Sequence, residues 1–248
     1  MKNYSYIKKE WSVRDHMNTV TLLNYGSRLR VVRVLLAMSF ACCFLAAFRV
    51  YWTQNYSYIW LVWNLFLAWV PLLIAYYLQK YYVKFPKRYT VLCLSCFMWL
   101  LFFPNSPYII TDLIHLDARN NVPMWYDAIL IFAFALTGLI TGFISLYFIH
   151  EIMDCFFRNI INWALITFIF LLSGYGIYLG RVLRWNSWDL FTRPKPLLMD
   201  VTGQVVNPQA LFMTLVFTFF MFFSYLILHS IIHLKHQAQS NDQRNQMP

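Results

Sequence analysis

The stretch FFPNSPYIITDLIHLDARNN, residues 102–121, places several ionisable side chains at the end of a long apolar run. Asp112 and His115 lie three residues apart. At that spacing a carboxylate could orient an imidazole that acts as a base, or both could bind one metal ion. If residues 108–117 form an α-helix, side chains three and four residues apart share one face. The side chains on that face are Asn105, Tyr108, Asp112, His115 and Arg119, with Ile109, Leu113 and Leu116 on a neighbouring apolar stripe.

A third carboxylate, Asp127 in the motif WYD, is expected at the same membrane depth as Asp112 and His115. We therefore predict that these three residues form the catalytic group of any reaction at this site. The alternative is that Asp112 caps a turn and His115 faces water. Tight metal sites usually have three or four ligands, and Asp127 is the best candidate for a further ligand beside Asp112 and His115. No metal ligand is assigned from the sequence, and the cofactor is unknown.

A second stretch, LGRVLRWNSWDL at residues 179–190, carries two arginines three residues apart. Two guanidinium groups at that spacing could bind a phosphate or a carboxylate. The alternative is an ordinary belt of arginines and tryptophans that reach the membrane interface. On the first interpretation the predicted substrate-binding residues are Arg181, Arg184, Asn186 and Asp189 of this stretch, together with Asn64, Asn105 and Tyr108.

Three polar side chains lie within apolar segments elsewhere in the chain. Asn64 stands about two turns inside its segment, so it requires a partner within the protein. It could line the floor of an outward-facing cavity or bridge two helices. His229 and His233 share a helical face, but with no acid nearby they indicate a helix end rather than a metal site.

The elements that must position these side chains are apolar helices. The chain has 248 residues, of which 60% are hydrophobic and 12% charged, whereas soluble domains have about 25% charged residues. This composition predicts an all-α, polytopic bundle of about six transmembrane helices, with a short interfacial or re-entrant helix after the third. The net charge is +10, but the basic residues stand between apolar blocks, which favours anionic lipid head groups over nucleic acid as partners.

Six apolar segments are long enough, or nearly long enough, to cross a membrane. They comprise residues 33–52, 58–79, 89–104, 124–149, 161–180 and 208–234. Residues 33–234 are predicted to form the membrane domain, between a basic segment 1–32 and a polar, disordered tail 235–248. Fourteen of the twenty Lys and Arg residues fall on one side of this arrangement. The positive-inside rule therefore places both termini in the cytoplasm and residues 102–121 and 181–207 at the outer face.

Three segments together resemble the hallmark segments of a bacterial membrane family known as DUF1361, a domain of unknown function. They are LFFPNSPYIITDLIHL, the WYD motif before the fourth span, and LGRVLRWNSWDL. The resemblance covers most of the chain and implies a multi-pass bacterial membrane protein, which we expect in the cytoplasmic (inner) membrane. It implies no activity, cofactor or catalytic assignment that could be transferred to these residues.

Three functions are open on the sequence alone. The first is an outer-face polar pocket that binds or processes an anionic lipid or lipid-linked substrate. The second is a transporter or channel component, although neither an inverted repeat nor a polar path through the lower half of the spans is evident. The third is a non-catalytic membrane partner protein whose outer loops dock another protein. The sequence does not distinguish an enzyme from a binding protein, and it gives no oligomeric state.

Overall fold

The computed structural model describes the backbone of residues 2–85, 88–116 and 122–245, and the side chains of residues 28–85, 88–116 and 122–234. The helices are α1 (Lys2–Thr53), α2 (Trp60–Lys84), α3 (Tyr89–Phe102), α4 (Asn105–Tyr108), a 3₁₀ helix (Ile109–His115), α5 (Met124–Met153), α6 (Asn159–Arg181), α7 (Asp189–Thr192), α8 (Pro194–Gln204) and α9 (Pro208–Asn245). The described residues contain no strand. The predicted all-α class is therefore confirmed.

Six helical segments of the described chain are long and apolar enough to cross a membrane. They are Arg28–Thr53, Trp60–Lys84, Tyr89–His115, Met124–Met153, Asn159–Arg181 and Pro208–Leu234. They confirm the six predicted spans, so the protein is a multi-pass membrane protein. The backbone of α9 continues to Asn245 and so enters the segment for which the sequence predicts disorder. The division into cytoplasmic termini and one membrane domain stays a prediction.

The third span is broken at the prolines of the FFPNSPY segment. α3 has 14 residues, and at 1.5 Å per residue it is about 21 Å long, which is too short for a hydrocarbon core of about 30 Å. α4 and the 3₁₀ helix continue the apolar crossing as far as His115. Asp112 therefore lies inside the last part of this span, whereas the sequence ends the span at Pro104.

The 3₁₀ geometry changes which residues share a face. A 3₁₀ helix has three residues per turn, so positions i and i+3 align. Ser106, Ile109 and Asp112 follow this spacing and are all buried, while Leu113 is 38% exposed. The predicted apolar stripe of Ile109, Leu113 and Leu116 is wrong, because it assumed the 3.6-residue turn of an α-helix.

The chain divides into two compact units, Met1–Arg158 and Asn159–Pro248. Unit 1 contains α1 to α5 with the 3₁₀ helix, and in it α5 packs against α1, α2, α4 and the 3₁₀ helix. Unit 2 contains α6 to α9, and in it α6 packs against α9. The predicted catalytic group thus belongs to unit 1, and the paired arginines belong to unit 2.

Two glycines of α5 allow the segment that carries Asp112 to lie directly against this helix. A Cβ atom on Gly142 would stand 2.5 Å from the Cβ atom of Ser106. A Cβ atom on Gly138 would stand 2.6 Å from the Cδ1 atom of Ile109. The contact at Gly142 is with a Cβ atom that moves only with its backbone, so the close approach requires glycine there, whereas the Ile109 side chain could turn away from a Cβ atom on Gly138. This contact holds the 3₁₀ helix in place.

Candidate functional site

Asp112 is fully buried in unit 1 and bonds to another helix. Its relative exposure is 0%, and its Oδ2 atom accepts a hydrogen bond of 2.9 Å from Nδ2 of Asn64 on α2. Asn64 thereby has the partner that its position inside a span requires. The bond connects α2 to the 3₁₀ helix, so Asn64 bridges two elements of the third and second spans.

Asp127, at the start of α5, forms a buried ion pair with Arg49 of α1. Nε of Arg49 donates to Oδ1 at 2.7 Å, and Nη2 donates to Oδ2 at 3.0 Å. Each side chain is only 2% exposed. The guanidinium carbon also lies 4.2 Å from the centroid of the Tyr58 ring. A bidentate pair of this kind balances both charges and joins two spans.

His115 is the exposed member of the predicted catalytic group. Its backbone carbonyl accepts a hydrogen bond of 3.0 Å from the hydroxyl of Tyr58, the residue whose ring stacks on Arg49. Its imidazole meets the Trp60 ring nearly at a right angle, with centroids 5.3 Å apart. The ion pair of Arg49 and the end of the 3₁₀ helix are therefore connected through one tyrosine.

The other predicted residues of unit 1 lie where the third span breaks. Asn105 and Tyr108 are both half-buried. Nδ2 of Asn105 donates to the carbonyl of Phe102 at 2.9 Å, and the Tyr108 carbonyl accepts a bond of 2.7 Å from the hydroxyl of Thr111. These local bonds support the backbone at the break. Arg119, predicted on the same face, lies outside the described residues.

The geometry of unit 1 supports a structural role for both carboxylates more strongly than a catalytic one. A general base must reach the proton that it removes, whereas burial closes Asp112 and Asp127 off from solvent. Among the described residues, no three His, Cys, Asp or Glu side chains are grouped closely enough to hold a metal ion. The catalytic assignment stays a prediction.

Sequence reasoning missed a second polar cluster, near the other end of α5. Glu151 of α5 accepts two bonds of 2.9 Å from Nη2 of Arg28 and one of 2.6 Å from Gln79. Arg28 donates to Gln79 as well, and the hydroxyl of Tyr147 bonds the same carboxylate. These residues lie inside spans. An ionisable group in a span needs a partner within the protein, and this signal could have identified Arg49 too.

In unit 2 the two predicted arginines lie at the end of α6 and just after it. Arg181 is the last residue of α6, and Arg184 is exposed, with a φ angle of 61°. A left-handed backbone costs a residue other than glycine roughly 1–2 kcal/mol. The N–H of Trp185 bonds the carbonyl of Leu179 at 3.1 Å. Arg184 thus occupies the kind of position at which a helix commonly ends with glycine.

Asp189 anchors the turn that follows and is 2% exposed. Its Oδ2 atom accepts the backbone N–H of Asn186 at 2.9 Å. Its Oδ1 atom accepts bonds from Thr192 at 3.2 Å and from Arg193 at 3.0 Å. Burial opposes the charged form, but these donors outweigh burial, so the pKa of Asp189 is lowered from its ordinary value. Its bonds are made within the turn, which supports a structural role for this predicted substrate ligand.

Three aromatic side chains fix α8 to the end of α6. The hydroxyl of Tyr175 donates to a backbone carbonyl of α8 at 2.6 Å, and the hydroxyl of Tyr178 donates to Gln204 at 3.0 Å. The indole of Trp185 donates to Asp200 at 2.8 Å. These bonds all engage the same side of α8, so they define which of its faces is turned inward.

Comparison with known proteins identifies a family. A search of the curated proteins and a search of the solved structures each found no match. A family model described as "Protein of unknown function (DUF1361)" matches residues 63–224, which is more than half of the chain. The matched range contains every predicted site residue of both units, while Arg28, Arg49 and Tyr58 precede it. The chain therefore belongs to the DUF1361 family.

Proposed function

We propose that the protein binds an anionic amphiphile, a lipid or a lipid-linked molecule, at the outer face of a bacterial cytoplasmic membrane. The observation that supports this best is an exposed apolar helix face beside exposed cations, in the segment between α6 and α9. An amphiphile with an acidic head group has the complementary parts, since its acyl chain fits the apolar face and its charge fits the cations.

α8 has one bonded face and one exposed face. The half-buried positions recur at helical spacing and are Leu197, Asp200, Val201 and Gln204. On the other face Leu198 is 54% and Met199 72% exposed, with Lys195 about one turn earlier on the same side. Because the Lys195 side chain is long, its ammonium group can reach an anionic head group while the apolar pair contacts the acyl chain.

The same segment carries the cations that would meet the head group. Arg184 and Lys195 are exposed, and the side chain of Arg193 is 61% exposed although it bonds Asp189. Arg181 lies at the end of α6, three residues before Arg184. A guanidinium group binds phosphate or carboxylate oxygens through two parallel hydrogen bonds. A head group with a phosphate or a carboxylate therefore fits this segment.

The outer location rests on the distribution of positive charge. Fourteen of the twenty Lys and Arg residues lie in the terminal segments, in the loops or at the span ends on one side, and the positive-inside rule assigns that side to the cytoplasm. The segment 182–207 connects the fifth and sixth spans. With both termini cytoplasmic, it lies at the outer face.

Binding is favoured over chemical conversion of the amphiphile. Both carboxylates of the predicted catalytic group are buried and bonded, Asp112 to Asn64 and Asp127 to Arg49. Neither presents a solvent-facing oxygen to a substrate. Arg184, Lys195 and the apolar face of α8, by contrast, are exposed to a ligand.

The proposal is tested by native mass spectrometry of the purified chain in a non-ionic detergent, titrated with phosphatidylglycerol or with neutral phosphatidylcholine. We expect the wild type to prefer the anionic lipid. The double variant Arg184→Gln/Lys195→Gln should lose most of that preference. Each cation near a membrane surface contributes about 1 kcal/mol, so two account for roughly a 30-fold change in the dissociation constant.

The matched control removes the same charge at the other side of the spans, in the variant Lys84→Gln/Arg158→Gln. Both of these residues are exposed, so the fold should tolerate their replacement and the lipid preference should persist. A second variant, Leu198→Ser/Met199→Ser, should weaken binding of both lipids by removing the apolar contact. An equal loss of preference in the two charge variants, or no preference in the wild type, would contradict the proposal.

A further inference from the structure

The imidazole rings of His229 and His233, on α9, face each other through their Nε2 atoms. Their Nε2 atoms are 3.1 Å apart, and their ring centroids are 4.3 Å apart. Four residues separate them on an α-helix, so the two side chains lie one above the other on one face. Helical spacing alone does not set the distance between the nitrogens, because other side-chain rotamers would turn the rings apart.

Two arrangements bring imidazole nitrogens this close, an N–H···N hydrogen bond or a shared metal ion. With metal–nitrogen bonds of about 2.05 Å, the observed separation of 3.1 Å corresponds to an angle of about 98° at the ion. That angle lies between the values for tetrahedral and for square or octahedral coordination. We propose that His229 and His233 form a two-imidazole site for a divalent transition-metal ion, with water in the remaining ligand positions.

Neighbouring aromatic rings hold His229 in this orientation. Its ring meets that of Trp163 on α6 at a centroid distance of 5.1 Å and an angle of 79°, and its centroid is 6.0 Å from that of Tyr225. A ligand held by packing loses little freedom when it binds. His233 is exposed, which gives the ion and its water ligands access to the site.

The pair lies at the edge of the membrane. His229 comes 21 residues after Pro208, the first residue of α9, and so stands about 31 Å along the helix at 1.5 Å per residue. The hydrocarbon core is about 30 Å thick. The two rings therefore reach head-group level at the opposite end of the last span from α8, and this site is independent of the proposed lipid site.

The class of ion follows from the ligands. Neutral imidazole suits Zn²⁺, Cu²⁺ and Ni²⁺, and among these the Irving–Williams order predicts the tightest binding for Cu²⁺. A site with two protein ligands keeps open coordination positions for water or another ligand, whereas structural sites are closed by four protein ligands. The sequence analysis interpreted the pair as a helix end, because a sequence does not reveal the distance between the two nitrogens.

The test is isothermal titration calorimetry of the full chain in detergent micelles with Cu²⁺, Ni²⁺ and Zn²⁺ salts. The protein is purified through a tag that contains no histidine. We expect one ion to bind per chain, with Cu²⁺ tightest. His233→Ala should weaken Cu²⁺ binding at least tenfold, and His229→Gln should do the same while it keeps a side chain of similar size against Trp163.

Replacement of an exposed residue should preserve the fold, and equal thermal midpoints of His233→Ala and the wild type without metal would verify this. The control His16→Ala removes an imidazole far away along the chain and should leave Cu²⁺ binding unchanged. Unchanged affinity in a folded His233→Ala variant would overturn the proposal. So would a wild type that shows no saturable binding of one ion.

Discussion

The carboxylates of Asp112 and Asp127 are hydrogen-bonded by different kinds of partner. Asp112 accepts a bond from the amide of Asn64, while Asp127 shares two bonds with the guanidinium group of Arg49. An ionisable group inside a membrane is costly unless a partner bonds it, and here each acid has such a partner. A motif rich in acids can therefore arise from helix pairing as well as from catalysis. The motif alone does not reveal the partner.

At the residue scale, Gly142→Ala tests the contact between α5 and the segment that carries Asp112. The added methyl group would stand 2.5 Å from the Cβ atom of Ser106, so α4 must shift away. We expect a loss of stability of about 1–3 kcal/mol, as for overpacked cores. The measurement is unfolding of the purified protein in detergent, followed by tryptophan fluorescence.

Gly203 provides a control, because the same substitution there should not lower the stability. It lies in α8, and a Cβ atom there would meet nothing within 4 Å. Alanine favours a helix over glycine by up to about 1 kcal/mol, so Gly203→Ala should leave stability unchanged or raise it. A Gly142→Ala variant as stable as the wild type would mean that α5 and α4 are not in close contact.

At the scale of elements, two ion pairs near the two ends of α5 fix α1 against this helix. Arg49 pairs with Asp127 and Arg28 with Glu151, so the two helices run antiparallel. The two arginines are about 32 Å apart along α1, and the two acids about 36 Å apart along α5. These lengths are close to the thickness of a hydrocarbon core. Sliding by one helical turn would break both pairs, so together they specify the register.

A double-mutant cycle tests whether Arg49 and Asp127 stabilise the protein through their interaction. Arg49→Met alone leaves a buried carboxylate without its cation and should cost about 3–5 kcal/mol of stability. Asp127→Leu alone should cost a similar amount. The double variant replaces the pair by apolar side chains and should be much closer to the wild type, because no uncompensated charge stays buried. Stability is measured from reversible unfolding in mixed detergent micelles.

The control for this cycle is Arg33→Met, which removes an exposed arginine from the same helix. Surface substitutions of this kind usually change stability by no more than about 0.5 kcal/mol. If the losses in the two single variants simply added in the double variant, the two side chains would not interact, and the register would need another explanation.

At the scale of the whole molecule, the spans were predictable and the pairings were not. Length and apolarity reveal six crossings, because a bilayer imposes both on any helix that spans it. The third span continues past Pro104 to His115, since its apolar character outlasts its α-helix. Arg28 and Glu151 are 123 residues apart, and no local pattern indicates that their helices pack together. The three-residue period around Asp112 was likewise not predicted, because the sequence analysis assumed an α-helix there.

The orientation of the whole protein is tested by cysteine labelling in intact cells, in a variant without the five native cysteines. A membrane-impermeant maleimide should label Ser57→Cys and Thr202→Cys directly. It should label Lys84→Cys and Arg158→Cys only after permeabilisation, because the positive-inside rule places these loops in the cytoplasm. All four native side chains are exposed. Labelling of positions 57 and 202 from opposite sides would contradict the arrangement of spans.

The pair between Arg49 and Asp127 also bears on how the chain is made. Its members are 78 residues apart, and at about 5–20 residues per second a ribosome needs roughly 4–16 s to reach the second from the first. Throughout that interval Asp127 is not yet available to pair with the guanidinium group, and an unpaired arginine costs about 2.5–3.5 kcal/mol at the centre of a spanning helix but less near its end. The buried pair can therefore form only after the fourth span has been made, and until then Arg49, four residues before the end of the first span, can direct its charge to the membrane interface.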